Sequence, residues 1–311
     1  MMNSFKNKYF YWKGPDVLSN LVLLVLNIIV YRLKPFERQF YINDLSISHP
    51  FTKKQKVSDM QLLIYSAIIP FCIIILYCIA FRFKRNTNNY YLLWVSVVGL
   101  ALTLNVTALI TNYLKNWFGR PRPDFLSRCS PKSGTPSNVL VFAKDVCTTH
   151  DIEKLYEGFR SCPSGHSSES FAGLGFLYYF LSGQLHVDFP NNNVYRKLIC
   201  FIPLLGATLI ALSRTQDYRH HFTDIFLGSF MGFIISREIY KHYFSLNSES
   251  VYSNTPYGSE AQTALKSEQT EYTSYKLLDT DNSINTEGHD NSNTNIHEEV
   301  QNNGALGSRL V

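Results

Sequence analysis

Two long stretches without a charged residue do most to decide what this chain can fold into. Met60 to Phe81 lies between Asp59 and Arg82 and contains IIPFCIIILYCIAF; Asn86 to Leu114 separates Arg85 from Lys115. A helix crossing the ~30 Å hydrocarbon core needs about 20 mainly apolar residues, so each run can cross a bilayer. Four further candidates follow. Val17 to Tyr31 is shorter, and Arg32 can extend it by snorkelling. Ser170 to Val187 lacks formal charge and carries Gly173, Gly175 and Gly183, which allow close helix packing. Leu198 to Ser213 is apolar with one proline, and Ile225 to Ser236 continues aromatically through Tyr243. A soluble core helix could imitate any of the last three, but six in one chain cannot all be core helices. The expected fold is all-α: a polytopic membrane protein with a six-transmembrane-helix bundle over residues 17–244, a cytosolic N-terminus at 1–16 and a disordered tail at 245–311.

Composition supports the division. The mean hydropathy of -0.08 suggests a soluble protein, but it averages two unlike regions. From Ser245 to Val311, 10 acids face 3 bases, so the tail carries -7 and the remainder +12 of the total +5. The remainder also holds all 22 Phe and all 3 Trp, which leaves the tail little to bury against the entropy of ordering. Catalysis is not expected there.

Six crossings place both termini on one side. Lys6, Lys8 and Lys13 precede the first span, Arg82, Lys84 and Arg85 follow the second, and Arg196 and Lys197 precede the fifth. All belong to one face, which the preference of cytoplasmic loops for Lys and Arg assigns to the cytosol. Lys34, Arg38, Lys53, Lys54 and Lys56 on the other face run against that bias. The N-terminus is too polar for a cleaved signal, and the first apolar run lacks a small-residue cleavage site. The triplet at Asn105 falls inside a span, where no glycosylation is expected. The 6 cysteines show no CxxC spacing. Cys72, Cys78 and Cys200 read as small core residues. Cys129, Cys147 and Cys162 share one connecting segment, where a disulfide requires an oxidising compartment.

Three polar clusters border the spans. Lys115-Asn-Trp-Phe-Gly-Arg120-Pro-Arg122-Pro123 leaves the third. Alone, this is the pattern of basic residues snorkelling to head groups. Pro163-Ser164-Gly165-His166 precedes the fourth; Ser164 suits an N-cap, and the first helical amides can hold an anion. Ser213 to Asp224 joins the fifth and sixth. If the sixth helix begins near His220, Asp224 lies on the same face and can hold His220 Nδ1, leaving Nε2 free as a nucleophile. A simple helix-capping His–Asp pair would look the same, and a metal site would need further carboxylates or thiols. The six-span order puts all three clusters on one face, opposite the termini. Snorkelling does not require the two histidines, and capping does not require Lys115, Arg122 and Arg214. A phosphoryl-transfer site requires both.

At these residues the sequence resembles the type 2 phosphatidic acid phosphatase superfamily of lipid phosphate phosphatases. Its motifs are present as Lys-x6-Arg-Pro (Lys115 to Pro123), Pro-Ser-Gly-His (Pro163 to His166) and Ser-Arg-x5-His-x3-Asp (Ser213 to Asp224). PFERQFYINDLSISHP, AKDVCTT, PSGHSSESFAGLG and IALSRTQDYRHHF look closer still to fungal diacylglycerol pyrophosphate phosphatases, over roughly residues 16 to 244. The resemblance implies that His220 attacks phosphorus with Asp224 supporting it, and that His166 acts as acid and then base. It implies that Lys115, Arg122, Arg214, Ser164 and Gly165 hold the phosphate, with no metal and no cofactor. Expected partners are the bilayer and lipid phosphate substrates, not nucleic acid. A vacuolar or other endomembrane site, with the active site facing away from the cytosol, is the expected location. Polyisoprenyl-diphosphate or sphingoid-base hydrolysis, or an inactive transporter or scaffold, are the alternative readings. Arg120, Arg219 and His221 receive no role.

Overall fold

The computed structural model describes residues 13–80, 89–185, 187 and 193–244. They lie in one compact unit, Met1–Gly258; the second unit, Ser259–Val311, lies outside the described residues, as does the whole tail expected from residue 245. The described residues form helices, and strand pairing among them is confined to isolated bridges at Phe40–Val141 and Pro131–Cys147.

Six long helices carry the architecture: α1 (Gly14–Arg32), α2 (Asp59–Ala80), α3 (Asn89–Phe118), α7 (Gly165–Gln184), α8 (Val194–Gln216) and α9 (Phe222–Tyr243). Between α3 and α7 lie three short ones, α4 (Phe125–Cys129), α5 (Ala143–Val146) and α6 (Ile152–Gly158). Among the described residues, four helices, α1, α2, α3 and α8, are long and apolar enough to cross a membrane. Leu198, Phe201, Ile202, Leu205 and Leu209 of α8 are exposed, and no residue of α1 is buried. These faces suit a bilayer. The chain is a helical membrane protein.

Helix α7 is less apolar because of where it sits. It packs against α2, α3, α8 and α9 and buries Ser167, Ser168, Ser170, Gly173 and Gly175 along with Phe176 and Phe180. A helix enclosed by other helices gains from small residues that let backbones approach, rather than from a greasy exterior. A Cβ on Gly173 would collide with the Ser66 carbonyl of α2, and one on Gly232 of α9 with the Ser168 carbonyl. The Ser66 carbonyl is available because Pro70, four residues on, has no N–H to offer it, and α2 widens to a π-turn over Ile64–Ile68.

The two ends of the bundle differ. At one, Tyr243 at the end of α9 donates to Asp16 Oδ2 at 2.8 Å, and Lys13 lies over the same ring, so the start of the first helix meets the end of the last. At the other, the segments 33–58 and 119–164 interlock. Phe40 and Val141 exchange backbone hydrogen bonds of 3.2 and 3.0 Å. A second apolar core of Phe40, Ile47, Phe125, Val146, Leu155 and Phe159 lies beneath them. Of the three cysteines expected in this region, Cys129 and Cys147 form a disulfide and Cys162 stays free. This clasped layer roofs the site.

Candidate active site

Each polar cluster is delivered by a helix end. Helix α3 stops at Gly119, whose φ of 55° is left-handed and whose N–H returns to the Lys115 carbonyl. That turn leaves Lys115 in the last turn of α3 and sends Arg122 into the roof, where its N–H donates to the Gly158 carbonyl. Helix α7 begins at Gly165 with Ser164 as its N-cap, accepting from the Ser167 N–H. Gly165 leaves room for Lys115: an added Cβ would stand 2.9 Å from Nζ. Helix α8 ends at Gln216 and places Arg214 in its last turn, and His220 sits in the turn before α9.

These ends converge. Lys115, Arg122, His166, Arg214 and His220 all line one cavity of about 480 Å³. Ser164 is fully buried and its oxygen serves the helix cap, so its observed contacts are structural. Its own N–H donates to the Asp224 carbonyl at 3.0 Å, locking α7 to α9.

The cations are held by partners that sequence spacing did not point to. Arg214, 1% exposed, donates from Nη1 to Gln55 Oε1 and from Nη2 to Asp217 Oδ2, both at 2.8 Å. Arg122 donates to Glu157 Oε2 at 2.6 Å, and its buried Nε–H has no partner among the described residues. Glu157 of α6 also faces the cavity. Burial pushes its carboxyl up, yet Arg122, Lys115 and Arg160 together bring it below its ordinary range. Arg219, assigned no role from the sequence, is buried and lines the same cavity. Burial, reinforced by Arg122 and Arg128, lowers it to about 10, which leaves it cationic at neutral pH.

The histidines are oriented by backbone carbonyls. His220 Nδ1 lies 2.6 Å from the Ser161 carbonyl. A carbonyl only accepts, so Nδ1 carries the proton and Nε2 keeps its lone pair. Burial, then Arg122 and Lys115, hold the His220 ring well below its ordinary pKa, so it is neutral. His166 Nε2 meets the Val57 carbonyl at 3.1 Å and stands 3.7 Å from Asp59 Oδ1.

Asp224 corrects the expected pairing. Its carboxylate accepts from the His221 N–H at 3.1 Å, the Ser161 hydroxyl at 2.6 Å and Arg120 Nη1 at 2.6 Å, and it stands 3.2 Å from His221 Nδ1. Its hydrogen bonds do not include His220. The cause is the helix start. Helix α9 begins at Phe222 with His221 as N-cap, so Asp224 is the third helical residue and folds back on that cap. Arg120 and His221, unassigned from sequence, are what fix Asp224.

Residues of all three motifs thus line one cavity, as the order of the helices led one to expect. The profile of the PAP2 superfamily matches residues 93–248, half of the chain. The chain belongs to this family. Diacylglycerol pyrophosphate phosphatase 1 of Saccharomyces cerevisiae is 49% identical over 233 residues, covering 75% of this chain and 80% of the yeast protein. Probable diacylglycerol pyrophosphate phosphatase 1 of Schizosaccharomyces pombe is 38% identical, covering 77% and 84%. Lipid phosphate phosphatase 2 of Arabidopsis thaliana is 35% identical, covering 74% and 76%. No solved structure matches. The phosphatase class expected from the PAP2 motifs stands with the family.

Proposed function

We propose that this PAP2 chain hydrolyses diacylglycerol pyrophosphate to phosphatidate, and phosphatidate to diacylglycerol, through a phosphohistidine and without a metal ion. One observation carries the reading: a neutral histidine with an unprotonated Nε2 lines a cavity shared with Lys115, Arg122 and Arg214. The names of the yeast and plant relatives supply the lipid class.

In this reading His220 Nε2 attacks phosphorus, the bond to the leaving oxygen breaks, and His166 gives that oxygen a proton. His166 then takes a proton from water, which attacks the phosphohistidine and releases phosphate. The three cations neutralise the equatorial oxygens, the task that Mg²⁺ performs in kinases. Hydrogen bonds from the α7 N-terminus at Gly165 add to them. Acid–base help supplies only about 10²–10⁴ of an acceleration that can approach ~10²¹ for monoesters, so the charged cradle and the covalent route carry most of it. Asp224 acts on His220 through Ser161.

The six long helices are read as six crossings, with both termini cytosolic and the cavity on the opposite face. The Cys129–Cys147 disulfide supports that side, because disulfides persist in oxidising compartments. A vacuolar or other endomembrane location fits it. The catalytic domain is residues 17–244, and the acidic tail takes no part in the chemistry.

The test is phosphate release by purified, detergent-solubilised protein from a panel of lipid phosphates in the presence of EDTA. Turnover of diacylglycerol pyrophosphate and phosphatidate is expected. Folded protein inactive on every lipid would reject the enzyme reading, and exclusive turnover of polyisoprenyl or sphingoid phosphates would replace the substrate.

A further inference from the structure

Among the described residues four cations line the cavity, and the phosphoryl group being transferred has use for three. Lys115, Arg122 and Arg214, which line the cavity, are the three that the proposed mechanism assigns to its non-bridging oxygens. Arg219 is left over. It is 9% exposed, yet it is poorly satisfied by protein. Its best hydrogen bond is to the Thr52 carbonyl at 3.5 Å, at the edge of what counts as one. Its carboxylate neighbour, Asp124 Oδ2 at 3.9 Å, is already taken by Arg128 through two bonds of 2.9 Å. The guanidinium rests over the Phe51 ring at 4.8 Å, which holds its plane but satisfies no N–H. Its buried Nε–H has no partner among the described residues. A buried cationic donor left unpaired is costly, so this geometry is suited to an anion that arrives with the substrate.

Position says which anion. Arg219 adjoins His220 in the chain and lines the same cavity, so both face the space in which the attacked phosphorus would sit. At about 480 Å³ the cavity is of small-molecule size, larger than one tetrahedral anion requires. We infer that Arg219 binds the second phosphate of a diphosphate ester, the one that leaves, and so sets the preference of this site for diphosphate over monophosphate lipids. This rests on the function proposed above and extends it. When the His220 Nε2–P bond forms and the bridging P–O bond breaks, the electron pair stays on the bridging oxygen of the departing phosphate. Arg219 neutralises that group with a charge-assisted fork. A monophosphate lipid departs as an alcohol and offers Arg219 nothing comparable.

The experiment compares wild-type and R219Q protein, purified in detergent, on diacylglycerol pyrophosphate and phosphatidate. The ratio of kcat/KM for the first over the second is expected to fall at least tenfold in R219Q. An unchanged ratio, whether both activities persist or both fall together, overturns the inference. If R219Q does not accumulate in the membrane, R219K, which keeps the charge and loses the fork, is read on the same ratio. Calorimetric binding of inorganic pyrophosphate and of inorganic phosphate to the same proteins gives a readout independent of turnover. Preference for pyrophosphate should shrink about tenfold in the variant, and an unaltered preference again overturns the assignment. Wild-type protein inactive on both lipids would reject the proposed function, while the binding comparison would still decide the role of Arg219.

Discussion

Ser161 joins His220 to Asp224, which share no hydrogen bond: its carbonyl accepts from His220 Nδ1–H at 2.6 Å, and its hydroxyl donates to Asp224 Oδ2 at 2.6 Å. One residue thereby fixes the tautomer of the proposed nucleophile and ties it to a buried carboxylate. Arg120 holds the other oxygen of that carboxylate. In the proposed mechanism the influence of Asp224 on His220 therefore runs through the position of a peptide carbonyl. It is orientation more than direct charge support.

The S161A variant separates these roles, since it keeps the carbonyl and removes the hydroxyl. A hydrogen bond to a charged group is worth about 1.5–3 kcal/mol, so S161A should lower kcat roughly ten- to a hundredfold with little change in KM. H220A should abolish phosphate release in membranes with normal protein levels. Wild-type turnover in S161A would show that the link is incidental, and turnover in H220A would remove the nucleophile.

Much of this site was legible in sequence because its residues sit at helix ends, and helix ends follow from where charge interrupts apolar runs. Lys115, Arg122, His166, Arg214 and His220 line one cavity for that reason. What was not legible has specific causes. The partner of His220 is a backbone carbonyl, which no residue type encodes. The Asp224 pairing turned on whether α9 starts at His220 or at Phe222; two residues rotate a helix by about 200°. Glu157 comes from a two-turn roof helix, Gln55 from the segment before α2 and Asp59 from its first residue, none at a fixed spacing from a motif. Helix α7 fell short of the apolarity of α1, α2, α3 and α8 because an enclosed helix trades large side chains for Ser and Gly, and α9 carries Asp224, Arg237, Glu238 and Lys241 along its length.

In the proposed mechanism Glu157 competes with substrate for Arg122. The 2.6 Å ion pair occupies Arg122 Nη2 and must loosen when a phosphoryl oxygen takes its place. Removing that charge in E157Q should tighten binding of any phosphate, including the product. The inhibition constant for inorganic phosphate should drop about tenfold, and turnover should become limited by product release. Weaker phosphate inhibition in E157Q would mean that Glu157 mainly positions Arg122.

The disulfide holds the roof. Cys129 and Cys147 are 18 residues apart, and closing a loop of that size restricts the unfolded chain by about 3 kcal/mol. A C129S/C147S double variant should therefore unfold at a lower temperature than wild type in the same detergent. Treatment with dithiothreitol should lower the wild-type midpoint and leave the variant unaffected. A midpoint insensitive to reductant would place both cysteines outside any bond.

Acid should destabilise the unliganded protein through His220. Its folded-state pKa lies well below the unfolded value of about 6.5 because burial, Arg122 and Lys115 all oppose a proton. Above pH 6.5 the ring is neutral in both states and contributes no pH dependence. As pH falls below 6.5 the unfolded chain takes up a proton that the folded one resists, so stability drops by up to about 1.4 kcal/mol per pH unit until the folded pKa is reached. Thermal midpoints at pH 7 and pH 5.5 should differ more for wild type than for H220Q, which has no ring to protonate. Orthovanadate, an anion of the charge the proposed phosphate site takes, should reduce the acid sensitivity of wild type by compensating an imidazolium. Equal pH slopes in wild type and H220Q would show that the ring is not held neutral.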